Sequence, residues 1–267
     1  MQSNERKDKI ESENTMKEVI ITVAGISSRF NEGIPENEKV LKAIYSEDTK
    51  ENTLLNQLLQ KSSFADRIII VGGYKFDNLK QYCKELKYPD KVSLVYNEHF
   101  EDLNSGYSLY LGLQEAFKTG ASEILFVEGD LDIDMLSFSK VVESKKNVLT
   151  FTSEPIYANK AVVLYQDKDG CYNYVFNSSH GMLSVDEPFS CILNSGQTWK
   201  FTNMSILKKA NKDFGKLEKD GTNLRIIQRY IEAIPAEEIE LIKLDRWTNC
   251  NTKNDYSKIL HYWRNEN

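Results

Sequence analysis

At 267 residues, 40 % hydrophobic and 28 % charged, the chain is long enough for a large core in one domain, and no apolar run approaches membrane-spanning length. A formal net charge of -6 excludes a surface that coats nucleic acid but leaves room for a local pocket that takes one small anion. The four cysteines (Cys83, Cys171, Cys191, Cys250) lack CxxC spacing and the three histidines (His99, His180, His261) are dispersed, which argues against a zinc centre, a histidine metal cluster or a disulfide framework and fits a reducing cytoplasm.

Residues 1–16 are polar, mixed in charge and aperiodic, and read as a mobile leader without an apolar signal core. The run Val19-Ile20-Ile21-Thr22-Val23 is short and β-branched, the signature of a strand buried on both faces. It stops at Ala24-Gly25-Ile26-Ser27-Ser28-Arg29, a glycine turn carrying two hydroxyls and a guanidinium, which suits phosphate. Residues 31–50 form a long charged loop containing Lys39-Val40-Leu41-Lys42, and Thr53 caps a helix that starts at Leu54. Strands follow at Ile68–Val71, Val92–Tyr96 and Glu123–Val127, separated by helices whose apolar stripes are Phe76, Leu79, Cys83, Leu86 and Leu109, Leu113, Ala116, Phe117. This alternation over 17–132 predicts an α/β fold with a mostly parallel, Rossmann-like central sheet covered by helices on both faces. Ligands of such sheets sit at the carboxyl ends of the strands, where Gly25, Gly73, Asn97 and Asp130 all fall.

The second half is richer in strands. Val148–Phe151 and Ala161–Tyr165 read as strands, Asp169-Gly170 as a hairpin turn before Cys171–Phe176, and 183–203 as irregular with strand-like pieces. Helical spacing covers 204–219 and 223–234, then a strand spans Ile239–Leu244 and a helix Asp255–Trp263. Without a Gly-, Pro- or Ser-rich linker, residues 17–267 read as one domain: a nucleotide-binding half (17–146), a β-rich extension over the acceptor side (147–238), and a closing strand and helix (239–267).

Asp130-Leu131-Asp132 after a buried strand offers carboxylate oxygens to one hard cation such as Mg²⁺, and equally reads as a solvated acidic loop. In combination, Ala24-Gly25-Ile26-Ser27-Ser28-Arg29, Glu38-Lys39-Val40-Leu41, Val71-Gly72-Gly73-Tyr74, Asn104-Ser105-Gly106-Tyr107-Ser108-Leu109, Glu128-Gly129-Asp130 and Trp247-Thr248-Asn249-Cys250-Asn251-Thr252 resemble the sugar-phosphate nucleotidyltransferase superfamily of GT-A-like fold, in its choline-phosphate cytidylyltransferase-like branch. The departures are Ser27 where that family has glycine, Glu38 where it has proline, and Asn251 where the branch has aspartate.

The resemblance implies transfer of a nucleoside monophosphate, CMP from CTP in that branch, to a phosphorylated or phosphonate acceptor such as phosphocholine or aminoethylphosphonate, with release of pyrophosphate. Arg29 and Lys39 would neutralise charge on the triphosphate, with Lys42 as a competitor for the second role. Ala24, Gly25, Ser27, Ser28, Gly73, Tyr74, Asn104, Ser105 and Ser108 would hold the nucleotide, and Asp130 and Asn251, with Asp132, would hold Mg²⁺. Such chemistry is mostly positioning, and an already ionised attacking oxygen needs no general base. For an ammonium-bearing acceptor, Trp199, Tyr107, Tyr157 and Tyr174 are candidate aromatic walls and Asp186 and Glu187 candidate counter-charges. Alternatives are a sugar-1-phosphate nucleotidyltransferase using UTP or another triphosphate, a GT-A glycosyltransferase using the Asp-x-Asp pair, and an inactive nucleotide sensor. A homodimer is compatible with the sequence.

Overall fold

The computed structural model describes residues 16–86, 89–158, 161–176, 178–179 and 182–265. The leader read at 1–16 therefore lies, except for Met16, outside the described residues, as does His180. The elements in chain order are β1 (Lys17–Val23), α1 (Leu54–Lys61), β2 (Arg67–Gly72), α2 (Phe76–Lys84), β3 (Val92–Tyr96), α3 (Ser105–Ala116), β4 (Glu123–Glu128), β5 (Leu131–Ile133), α4 (Met135–Glu143), β6 (Asn147–Thr152), β7 (Val163–Asp167), β8 (Tyr172–Tyr174), β9 (Ser178–Ser179), β10 (Met182–Leu183), β11 (Phe189–Phe201), α5 (Met204–Leu217), α6 (Asn223–Ile231), β12 (Ile239–Leu244), β13 (Trp247–Asn249) and α7 (Lys253–Asn265).

The central sheet runs β12-β6-β11-β4-β1-β2-β3, with β7 and β8 carried on the first half of β11. β1 is parallel to both β2 and β4, β2 to β3 and β12 to β6, while β11 runs antiparallel to β4 and β6. The runs read as doubly buried strands are so because successive residues feed opposite cores. Ile20 faces Leu109, Phe214 and Ile227 of the helices on one side. Ile21 faces Leu55, Leu79 and Phe138 on the other. Each such aliphatic side chain is fully buried, a stabilisation of about 1.5–3 kcal/mol apiece relative to exposure.

Three findings differ from the sequence reading. Residues 189–201 form one long strand instead of irregular pieces, because β-bulges at Phe189/Cys191 and Ser195/Trp199 break the period-two pattern that would have announced it. The helix α4 was not foreseen; Asp134 caps it by accepting from the Ser137 amide at 2.8 Å. Nor was the two-stranded ribbon of β5 with β13, which returns the chain's last segment to the end of β4.

The chain leaves β1 toward β2 on one side and enters β4 on the other, so the sheet's switch point lies between the carboxyl ends of β1 and β4. The turn after β4 is pressed against β1. The Gly129 amide donates to the Thr22 carbonyl at 3.0 Å, and a Cβ on Gly129 would meet Val23 Cγ1 at 2.3 Å. Only glycine lets these two turns share one crevice. Among the described residues no helix is long and apolar enough to cross a membrane.

Candidate functional site

At that crevice lies a cavity of about 380 Å³ lined by residues from both halves of the chain, among them Ala24, Gly25, Ser27, Lys42, Asn97, Glu128, Asp130 and Gln197. A Cβ added at Gly25 would meet nothing within 4 Å, so open space rather than packing adjoins this glycine. Ser27, at the position where the resembled family has glycine, takes a left-handed backbone with φ 56°. That conformation costs a non-glycine residue about 1–2 kcal/mol. The Ser27 hydroxyl offsets part of it by accepting from the Lys42 amide at 3.3 Å. Ser27→Gly is therefore expected to stay within about 1 kcal/mol of the parent in urea denaturation, whereas Ser27→Val, β-branched in the same backbone, is expected to lose about 2 kcal/mol or more.

The loop that follows is clasped by Asn31, which the sequence reading passed over. Its buried amide donates to the Ser27 and Val40 carbonyls at 3.1 and 2.8 Å and accepts from the Val40 amide at 2.9 Å. This fixes where the next residues point. Lys42, opening a 3-10 turn, sends its ammonium to Asp130 Oδ2 at 2.9 Å inside the cavity. Lys39 instead pairs with Glu36 at 2.6 Å and is not among the residues lining the cavity. The geometry thus brings Lys42, three positions on, and not Lys39 to the cavity. Lys42-Ala43-Ile44 carries the same Lys-x-aliphatic signal as Lys39-Val40-Leu41, and the fold turns Lys42 into the cavity. If the site turns over, Lys42→Ala is expected to cost about 10²-fold or more in rate and Lys39→Ala to stay within about threefold. The reverse order in steady-state kinetics would return the role to Lys39.

Asp130 lies in the turn ahead of β5, and its second oxygen, Oδ1, is buried without a hydrogen-bond partner. The Cys250 amide donates to the Asp130 carbonyl at 2.8 Å, which sets Asn251 beside it. Asn251 is held by the start of α7, where Thr252 and Asp255 form a reciprocal capping box: Thr252 Oγ1 accepts from the Asp255 amide at 3.2 Å and Asp255 Oδ2 accepts from the Asn251 and Thr252 amides at 3.0 and 2.8 Å. Arg29 reaches across 222 residues of sequence to donate to Asn251 Oδ1 at 2.7 Å. Arg29 and Asn251 are thus brought together beside Asp130, and neither is among the residues lining the cavity.

Asp132 does not join them. Its carboxylate is fully enclosed, accepting from Trp263 Nε1 at 2.9 Å and from Arg246 Nη1, with Lys61 at 3.7 Å. Both oxygens are committed to the protein, so the Asp-x-Asp pair does not converge on one cation.

Glu128, quoted in the sequence only as part of the strand end, lines the same cavity. Burial first, and then the charge of Asp130, push its carboxyl well above the usual carboxylate range. It accepts from Asn223 Nδ2 at 2.6 Å, at the first turn of α6. A carboxyl whose folded pKa is raised contributes stability that is complete below its ordinary pKa and is lost as pH rises through the folded value. Glu128→Gln is therefore expected to match the parent's melting temperature near pH 4 and exceed it by a few °C near pH 9, since one pKa unit is about 1.4 kcal/mol. A difference that does not grow with pH would show an ordinary carboxylate.

Asn104, Ser105 and Ser108 line the cavity beside Asn97, whose buried amide donates to the Ser108 hydroxyl at 2.9 Å. Asn97 opens the Asn…Asn-x-x-x-Ser-Leu stretch of the resembled branch, whereas Asn223 carries no motif signal beyond its position at a helix start. Ser28 is exposed at the rim, outside the lining residues. Gly73 and Tyr74 sit one step away: a Cβ on Gly73 would lie 2.4 Å from that of Phe100, and the Tyr74 amide donates to the Ala24 carbonyl at 3.1 Å, so both support the turn.

The expected acceptor walls are elsewhere. Trp199 is completely buried, stacked on Phe126 with ring centroids 5.1 Å apart and donating to the Tyr174 hydroxyl at 2.6 Å. Tyr107 is buried against Tyr110 and His99. Asp186 accepts from Ser184 at 2.5 Å and Glu187 from the Tyr165 hydroxyl at 2.6 Å, both outside the cavity lining. The bulge at Ser195/Trp199 accounts for the tryptophan: slipping the register turns that residue from the cleft into the core. Burial pushes the nearby Cys250 thiol up to about 12, which keeps it from acting as a nucleophile.

A family model described as "Domain of unknown function (DUF6564)" matches residues 38–263. No curated protein matches the chain in sequence. Solved structures share its fold. The inositol-1-phosphate CTP transferase from T. maritima is 16 % identical with a TM-score of 0.63, over 90 % of this chain and 91 % of that one. The CTP:phosphocholine cytidylyltransferase from Streptococcus pneumoniae is 14 % identical with a TM-score of 0.63, over 93 % and 99 %. A UDP-glucose pyrophosphorylase complexed with UDP-glucose is 13 % identical with a TM-score of 0.64, over 95 % and 100 %. The central sheet and its cleft are therefore those of the nucleotidyltransferase fold.

Proposed function

The chain belongs to the Domain of unknown function (DUF6564) family, and from that premise we propose that its cleft is the active site of a metal-dependent nucleotidyltransferase, moving a nucleoside monophosphate from a triphosphate to a small phosphorylated acceptor. One observation carries this reading above the fold likeness. Asp130 presents a buried, unpartnered carboxylate oxygen at the sheet's switch point, with a lysine on its other oxygen and open space at Gly25 opposite.

The residues present fit Mg²⁺. The donors are hard oxygens, from the Asp130 carboxylate and the Asn251 amide. Two protein ligands leave most positions to phosphate and water, which is how this ion is usually held. When bound, it supplies charge neutralisation between the phosphates. The remaining work falls to the chain. Lys42 and Arg29 counter the triphosphate's charge, and the Ala24–Ser28 turn gives its backbone N–H groups and, at Gly25, room for close approach. Asn97, Asn104, Ser105 and Ser108 line the side where the resemblance sets the base.

The cavity lining bears on the acceptor. Its polar side chains include Gln197, Thr222 and Asn223, and among the described residues Phe100 is its one aromatic ring. Amide and hydroxyl groups suit an acceptor rich in hydroxyls, such as a sugar phosphate, more than a quaternary ammonium, which calls for an aromatic cage.

The test is pyrophosphate release with each of the four nucleoside triphosphates and Mg²⁺, CTP included, against phosphocholine, aminoethylphosphonate and a panel of sugar phosphates. Release with one pairing is the expected result. Triphosphate binding without release from any pairing would favour a sensor, a reading that the neutral Asn251 motivates.

A further inference from the structure

Lys42 in the cavity lining and Arg29 outside it are each paired with a candidate metal ligand. Lys42 Nζ lies 2.9 Å from Asp130 Oδ2, and Arg29 Nη2 donates to Asn251 Oδ1 at 2.7 Å. We propose that these crossed pairs balance each other's groups until ligands bind, and that a divalent cation and a polyphosphate enter by partner exchange: the divalent cation takes the oxygens, and the released Lys42 and Arg29 take the phosphates. The inference rests on the nucleotidyltransferase reading above.

The charges in the cavity require some such arrangement. The charged side chains among its lining residues are Lys42, Glu128 and Asp130. Removing Lys42 from its place would leave two carboxyl groups facing one cavity with no cation between them. Lys42 thus stands in for a divalent ion, and it does so at low exposure, 15 % for its side chain against 26 % for that of Asp130. Asp130 keeps a second, buried oxygen without a partner, so the carboxylate is only half satisfied by the lysine. Asn251 is satisfied by Arg29 through a neutral amide, a hydrogen bond without the full charge pair that an aspartate would make.

Exchange has a thermodynamic consequence. A divalent ion arriving alone must displace an ammonium that then has no anion. A polyphosphate arriving alone must draw the lysine from a carboxylate that then has no cation. Arriving together, each supplies the partner that the other's protein group has lost. Binding is therefore cooperative between metal and nucleotide, and by linkage each raises the other's affinity by the same factor. The structure places that coupling in Lys42.

Calorimetry on the full chain tests it, with Mn²⁺ alone, CTP alone and Mn²⁺ in the presence of CTP, and no acceptor so that nothing turns over. In the parent, CTP is expected to raise Mn²⁺ affinity at least tenfold. Lys42→Met is expected to bind Mn²⁺ alone about tenfold more tightly than the parent and to lose most of the CTP effect, while Lys39→Met, outside the cavity lining, changes neither. Asn251→Asp, which gives Arg29 a full counter-charge, is expected to raise Mn²⁺ affinity while keeping the CTP effect. Melting temperatures within a few °C of the parent establish that each variant is folded. Mn²⁺ binding by Lys42→Met no tighter than by the parent would overturn the exchange even where CTP binding stands. Tighter Mn²⁺ binding by Lys42→Met with no triphosphate binding by any form would uphold the lysine's stand-in role and overturn the nucleotide reading instead.

Discussion

Asp132→Ala is expected to destabilise the protein by about 3–5 kcal/mol, measured as a fall in the urea midpoint at unchanged slope. The carboxylate is fully enclosed and serves three partners on three elements: Lys61 of α1, Trp263 of α7, and Arg246 in the link between β12 and β13. Lys61 and Arg246 are themselves largely buried. Taking away the anion leaves cationic groups in low-dielectric surroundings with their counter-charge gone, and that cost exceeds what the intact pair contributes. The indole loses its acceptor as well. Asp132→Asn is expected to lose less, because an amide oxygen still accepts from Trp263, although it no longer balances the charge. A loss below about 1 kcal/mol for the alanine variant would mean that water replaces the carboxylate, contrary to its enclosure. This places the second aspartate of the Asp-x-Asp sequence in the group that ties α1 and α7 to the ribbon, and the alternative reading as a glycosyltransferase loses the paired carboxylates that motivated it.

How much of this was legible varies with how local the determinant is. The strands β1, β2 and β4 announce themselves because a doubly buried strand must be apolar on both sides, and few other structures of that length require this. The switch point followed from their alternation with helices, and it is where Gly25 and Asp130 lie. Arg29 and Asn251, distant in sequence and named through a resemblance to a family's motifs, stand 2.7 Å apart, because the β5–β13 ribbon and the α7 capping box carry the chain back to its opening turn. Other residues depend on tertiary detail that no spacing encodes. Two lysines offer the same local signal, and which of them reaches the cavity follows from the three hydrogen bonds in which Asn31 donates twice and accepts once. Asp130 and Asp132 are two residues apart, which in a continuous strand would put them on one face. Asp130 precedes the strand, in the turn, so the rule does not apply. Trp199 sat beside a polar turn and resembled a binding wall, but the polar residues belong to a bulge inside β11, and the ring belongs to the core.

Asp130→Ala is the contrasting case: the fold is expected to stand and Mg²⁺-dependent pyrophosphate release to fall about 10³-fold. The stability side follows from exposure. The Lys42–Asp130 pair sits at the cavity, where water reaches both side chains, so breaking it costs about 1 kcal/mol or less, a few °C in melting temperature. Part of that loss is offset. Asp130 is, after burial, the largest contributor to the raised pKa of Glu128, and removing it relieves the repulsion that Glu128 meets on ionising. The variant is therefore expected to gain on the parent as pH rises, the same sign as Glu128→Gln and for the same reason. The activity side follows from what Asp130 alone provides. It is the charged member of the candidate ligand pair, Asn251 being neutral, and its buried oxygen is the donor at the cavity that the protein itself leaves unpaired. A variant that keeps its fold and its triphosphate binding but loses metal dependence would locate the ion at this carboxylate. A variant that keeps full metal-dependent turnover would remove Asp130 from the ligand set, and Asn251, whose amide oxygen is already engaged by Arg29, would not hold the ion without it.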